Sequence, residues 1–243
     1  MSTRGLLFGA ALEAAIAVVA IVRVRAAMKA VRARGDAPDD PFELLERFVH
    51  GMIPVPAVAG ALLYELRVVD WALVRRGVRV AREREGTFRW KGADEWRVVV
   101  IALSIVIAAE SLALHLFLAP KIGSFVWLVT ALDLYAMLWL VADCRALEAN
   151  GIRVTGRGVS IRFGIRWEAD VEPGAVDRVE AAANGNWDRK LALIDEPTLV
   201  IVMRRPVELR GPYGIRRRAS RIGVRLEDSA AFQGALAGRL VIE

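Results

Sequence analysis

Residues 98–142 read VVVIALSIVIAAESLALHLFL, then APKIGS, then FVWLVTALDLYAMLWLVA, and these two apolar runs decide the architecture. The first is interrupted only by Ser104, Glu110, Ser111 and His115, the second only by Thr130, Asp133 and Tyr135. A helix rises about 1.5 Å per residue, so about 20 apolar residues cross the roughly 30 Å hydrocarbon core of a bilayer. A further run, residues 6–22, is broken only by Glu13. The expected architecture is an α-helical membrane domain with three transmembrane helices, at 5–22, 98–118 and 124–142, plus interfacial helices. A secretory signal is the competing reading of the first run. Against it, Arg23, Arg25, Lys29, Arg32 and Arg34 follow at once, the flank of a span that is retained.

The 243 residues are 55% hydrophobic and 26% charged, with a mean hydropathy of +0.36. Such a mixture requires apolar and charged residues to be segregated along the chain. A single cysteine, Cys144, excludes an intramolecular disulfide.

Segment 23–97 is dense in arginine, whereas the 119–124 link holds Lys121 alone. Basic loops stay in the cytoplasm, so the chain is expected in the cell's inner membrane, multi-pass, with its amino terminus outside and its carboxyl terminus cytoplasmic. Pro120 is expected to stop the second span. Within 23–97, the apolar stretch 52–74 reads as an interfacial helix. Re-entrant and fourth-span alternatives stay open, although a fourth span would put one arginine cluster outside. Asp39-Asp40-Pro41 heads an amphipathic helix carrying Phe42, Leu45, Phe48 and Val49. Trp90, Trp96, Trp127 and Trp139 are expected at the membrane interfaces, and 71–90 as a basic helix along the headgroups or in solvent.

Carboxyl groups inside a membrane are costly, so Glu13, Glu110 and Asp133 must face protein, water or one another. Each lies about 12–13 Å below the outer end of its helix. Gly5 and Gly9 share a face with Glu13 and form a Gly-xxx-Gly packing surface; Ser111 and His115 share a line on the second span. Three readings follow. Glu13 and Asp133 are protonated and act as interhelical hydrogen-bond glue with Ser111, Thr130 or Tyr135; or Glu13, Ser111, Glu110, His115 and Asp133 form an intramembrane polar cluster that holds a cation, proton or cofactor; or the acids pair with a basic residue of another subunit. Candidate metal ligands are His115, Glu110, Glu46 and His50, the last two on one side of the amphipathic helix with Glu43; surface charge is the preferred reading there. No cofactor is predicted.

After residue 149 the long runs give way to short alternating ones at 152–155, 159–163, 176–181, 191–194, 198–203, 207–210 and 222–227. Turn chemistry separates them, as in Gly211-Pro212-Tyr213-Gly214, and a last helix opens at Asp228-Ser229 to bury Phe232, Leu236 and Leu240. The second domain, 150–243, is thus mostly β with a C-terminal helix. That order, with the passage Arg221-Ile222-Gly223-Val224-Arg225-Leu226-Glu227-Asp228-Ser229-Ala230-Ala231-Phe232 from last strand into helix, resembles the bacterial pleckstrin-homology-like domains attached to transmembrane helices. The resemblance implies an interaction or assembly module and carries over no ligand residues.

Arg204, Arg205, Arg210, Arg216, Arg217, Arg218, Arg221 and Arg225 are opposed locally by Glu208 alone. Anionic lipid headgroups are the expected partner of Arg216, Arg217, Arg218 and Arg221, because the bilayer presents them at high effective concentration. No aromatic platform or recognition helix accompanies the charge, which argues against nucleic acid. The function expected is a membrane scaffold or regulatory subunit contacting other subunits or a second copy. Its alternatives are a metal- or haem-binding membrane enzyme or redox subunit, and a small oligomeric ion or proton pathway.

Overall fold

The computed structural model describes residues 49, 55–74, 86–156, 158–172, 174–183 and 185–240. The expected first span with Gly5, Gly9 and Glu13, the helix carrying Glu43, Glu46 and His50 apart from Val49, and residues 75–85 lie outside the described residues. The chain divides into two compact units, 1–59 and 60–243. In the first, Val49 is helical and buried, and residues 56–59 open helix α1 (Pro56–Val69). Pro56 stands at the first helical position, where a missing N–H costs nothing.

In the second unit α1 runs into a π turn, Asp70–Val74, which buries Trp71 and Ala72. Helices α2 (Ala93–Ile122) and α3 (Val126–Ala149) are joined by a 3-10 turn, Gly123–Phe125. The expected stop at Pro120 is corrected: α2 continues through it and ends at Gly123, whose φ of +60° is left-handed and free of a Cβ clash.

Among the described residues these are the two helices, over Ala93–Phe117 and Gly123–Ala149, that are long and apolar enough to cross a membrane, with mean hydropathies of 2.3 and 1.9. Only 6% and 11% of their most apolar windows are buried within the protein. A core helix of a soluble domain would be mostly covered. Here Val98, Ile105, Leu116, Phe117, Trp127 and Leu132 face outward, so the apolar surface calls for lipid and associates the chain with a membrane.

From Gly60 on, α1 and its π turn touch α3 through side chains: Glu65 meets Tyr135, Tyr64 meets Trp139, and Ala72 O accepts from Arg145. Tyr64, Val68 and Trp71 share an apolar cluster with Ala142, Ala146 and Ala149, and the π turn is the part of this segment whose backbone comes close to α3.

The strands are β1 (Thr87–Arg89), β2 (Gly151–Thr155), β3 (Gly158–Phe163), β4 (Trp167–Val171), β5 (Val176–Ala181), β6 (Arg189–Leu191), β7 (Leu199–Arg210) and β8 (Arg216–Val224). They form one 8-stranded sheet in the order β1-β2-β3-β4-β7-β8-β6, with β5 also on β7. Pairing is antiparallel except for β6 with β8. Helix α4 (Ser229–Leu240) closes it: Asp228 Oδ1 accepts from Ala231 N at 2.9 Å, and Phe232 and Leu236 are buried.

The sheet departs from expectation in five places. β4 was not expected, because Glu168 and Asp170 hide the inward Ala169 and Val171. Segments 198–203 and 207–210 are one strand, with a register shift between Val202 and Val207 where Pro206 can donate nothing. The strand expected at 222–227 begins at Arg216, so the arginine run belongs to the ladder, and that expected at 191–194 is Arg189–Leu191. Residues 87–90 are not helical: they pair with β2 and Leu226, and Trp90 is not an interface anchor. Its indole is fully buried in the sheet core, donates to Arg162 O at 2.8 Å and meets Phe163 edge-on at 4.8 Å. The sheet core meets both an indole's needs, apolar cover and an acceptor.

Candidate functional site

Of the expected intramembrane cluster, Ser111, Glu110, His115 and Asp133 are described, and among the described residues no hydrogen bond joins Asp133 to the others. Ser111, His115 and Asp133 are half-buried, whereas Glu110 is exposed. His115 Nδ1 lies 3.2 Å from Ser111 O and 3.3 Å from Thr130 Oγ1, and its ring meets Trp127 edge-on at 5.2 Å. Asp133 Oδ2 is buried without a hydrogen-bond partner among the described residues. Its expected partners are engaged elsewhere, Thr130 with His115 and Val126 O, Tyr135 with Glu65. Among the described residues no group of three or more His, Cys, Asp or Glu could hold a metal ion.

A denser polar assembly lies nearer the sheet. Tyr135, Trp139 and Asp143 stand at i, i+4 and i+8 on α3, so one face presents all three. The Tyr135 hydroxyl lies 2.9 Å from both Glu65 carboxylate oxygens and donates to them. The Trp139 indole donates to the Tyr64 hydroxyl at 2.7 Å, and the Tyr64 ring packs on Tyr213 with centroids 4.5 Å apart. Burial pushes the Tyr64 phenol up to about 12, so it stays neutral as it accepts from Trp139.

Asp143 is wholly buried and accepts from Arg166 Nε at 3.1 Å and Arg166 Nη2 at 2.6 Å, from Trp96 Nε1 at 3.2 Å and from Ile165 N at 3.4 Å. The Arg166 guanidinium lies over the Trp96 ring at 4.8 Å, with Trp139 and Phe163 within 6 Å. Trp96 and Trp139, expected as interface anchors, are thus built into this joint. A bidentate, four-donor carboxylate in this setting is a structural rivet between α3 and the β3–β4 turn. Gly164 in that turn has φ +57°, and a Cβ there would collide with Asp143 Oδ1. A second tie, Arg67 with Glu168 at 2.9 and 3.3 Å, joins α1 to β4. Sequence reasoning missed both pairs; the i, i+4, i+8 spacing was the available signal.

The expected lipid-binding arginines do not act as one set. Arg221 is drawn inward, to Glu180 at 3.0 Å and Asn186 O at 2.9 Å, and Arg225 pairs with Asp195 at 3.1 Å. Arg216, Arg217 and Arg218 are exposed, and of these only Arg216 has an ion pair among the described residues, to Glu208 at 3.1 Å.

Fold and site define a membrane-associated protein in which two apolar helices are riveted to a mostly β sheet. Comparison with protein-family models, with characterised proteins and with solved structures finds no match.

Proposed function

We propose that this chain is an integral membrane scaffold or regulatory subunit, whose pleckstrin-homology-like sheet domain docks a lipid or protein partner on the cytoplasmic side of the inner membrane. The observation that carries the reading is the Asp143–Arg166 rivet. It makes the sheet a rigid extension of the spans, so that a contact on one is felt by the other. In this reading the span between 5 and 22 completes a three-helix membrane domain, and the 23–97 arginines hold its orientation.

The test is two-sided labelling in a Cys144→Ala background. Lys121→Cys is expected to react only from outside the cell and Glu196→Cys only from inside. Reaction of both from one side overturns the topology and with it the reading.

A second reading, a metal- or haem-binding enzyme or an ion pathway, draws on the unpartnered Asp133 Oδ2 in α3, within the pair of helices that also hold His115 and Thr130. Metal and absorbance analysis of the purified chain decides between them. The scaffold reading expects no stoichiometric metal and no visible band; either one, lost in His115→Ala, establishes the alternative.

A further inference from the structure

The β7–β8 hairpin ends in the tight turn Pro212–Gly214, closed by Ile215 N donating to Pro212 O at 3.0 Å and Gly211 N donating to Ile215 O at 2.7 Å. Tyr213 (φ 56°) and Gly214 (φ 77°) are both left-handed, the pair a two-residue hairpin turn needs. A tyrosine bears that conformation at a steric cost, where Asn, Asp or Gly would sit more easily. What tyrosine adds is its ring. That ring and Ile215 are 47% and 45% exposed, although the turn is seated against the helices: Tyr213 packs on Tyr64, and a Cβ on Gly60 would come within 3.1 Å of Gly214.

The level of the turn is set by the same contacts. Tyr64 takes the Trp139 indole, so Tyr213 stands one ring away from Trp139, which lies three residues before the sheet-side end of the apolar run 124–142. Such rings favour the boundary between acyl chains and headgroups. Strand β8 leads away from the turn, and its first residues are Arg216, Arg217 and Arg218. At about 3.3 Å per residue they fall within roughly 10 Å of the tip, the depth of lipid phosphates when the tip is at the interface. Arg217 and Arg218 are exposed and make no hydrogen bond or ion pair among the described residues.

We propose that the β7–β8 hairpin is a lipid-reading tip: Tyr213 and Ile215 enter the interface of the bilayer that α2 and α3 cross, and Arg217 and Arg218, on opposite faces of β8, hold the phosphates of anionic lipids. This deepens the docking reading above and rests on it. It names the partner as lipid and removes Arg221 from the binding set.

The experiment uses the full chain with Cys144→Ala, reconstituted in phosphatidylcholine vesicles with and without phosphatidylglycerol. A nitrobenzoxadiazole label is placed at Ile215→Cys, with Glu196→Cys as the control. The Ile215 label is expected to emit to the blue of the control and to be quenched by lipids spin-labelled near the headgroup. Both effects should grow with phosphatidylglycerol and weaken with salt. Arg217→Ala with Arg218→Ala is expected to reduce the phosphatidylglycerol preference several-fold, and the corresponding Lys pair to retain it. A label at Ile215 that is as water-like as the control in every vesicle overturns the proposal, as does a preference that survives loss of both arginines. Because these readouts are independent of which side Lys121 faces, the tip can fail while the topology stands.

Discussion

Asp143→Ala is expected to destabilise the chain by about 3–5 kcal/mol, the usual cost of removing one partner from a buried ion pair. Four donors lose their acceptor at once, and Arg166 keeps its charge among Trp96, Trp139 and Phe163. Asp143→Asn retains acceptors for some of them and should cost less. Combining Asp143→Ala with Arg166→Met should restore much of the loss, since a thioether suits the aromatic surroundings and no charge is stranded. Denaturant unfolding in detergent, followed by near-ultraviolet circular dichroism, measures all three. A loss below about 1 kcal/mol in the single variant would show that the pair does not hold the sheet to α3.

Trp90→Ala is the second large effect expected, about 3–5 kcal/mol, because it empties the largest fully buried side chain of the sheet core. It also leaves Arg162 O without the indole donor. Trp90→Phe keeps the edge-on packing against Phe163 and loses the hydrogen bond, so it should cost about 1 kcal/mol. A tryptophan that merely anchored the chain at a bilayer surface would tolerate both changes with little loss of sheet stability. The same unfolding measurement separates the two roles, because only a core residue couples its loss to the strands that follow α3.

Part of this architecture was legible in order along the chain. Lipid imposes one requirement, a continuous apolar run long enough to cross, and residues 98–118 and 124–142 meet it without reference to anything else. Alternation marked β2, β3 and β5, and the capping residue Asp228 marked the start of α4. The site was less legible. Asp143 follows directly on an apolar run and looks like the polar flank of a span, while Arg166 lies in a turn among many other arginines. Nothing local says that the two meet.

Short strands were lost for a related reason. β1 is a three-residue piece after a run of arginines, and β4 alternates two acids with three apolar residues. Each is a strand because its neighbours offer unpaired backbone groups, not because its own pattern demands it.

The amino-acid sequence by itself determined that this chain carries apolar helices fit for a membrane and a mostly β region after them, because hydropathy and period are properties of neighbouring residues. Only the tertiary structure decided that Trp90 is core, that Arg221 is spoken for while Arg217 and Arg218 stand open, and that Asp143 is a rivet. Each of those depends on which distant group supplies the second half of a hydrogen bond or ion pair, and that is set by the fold as a whole.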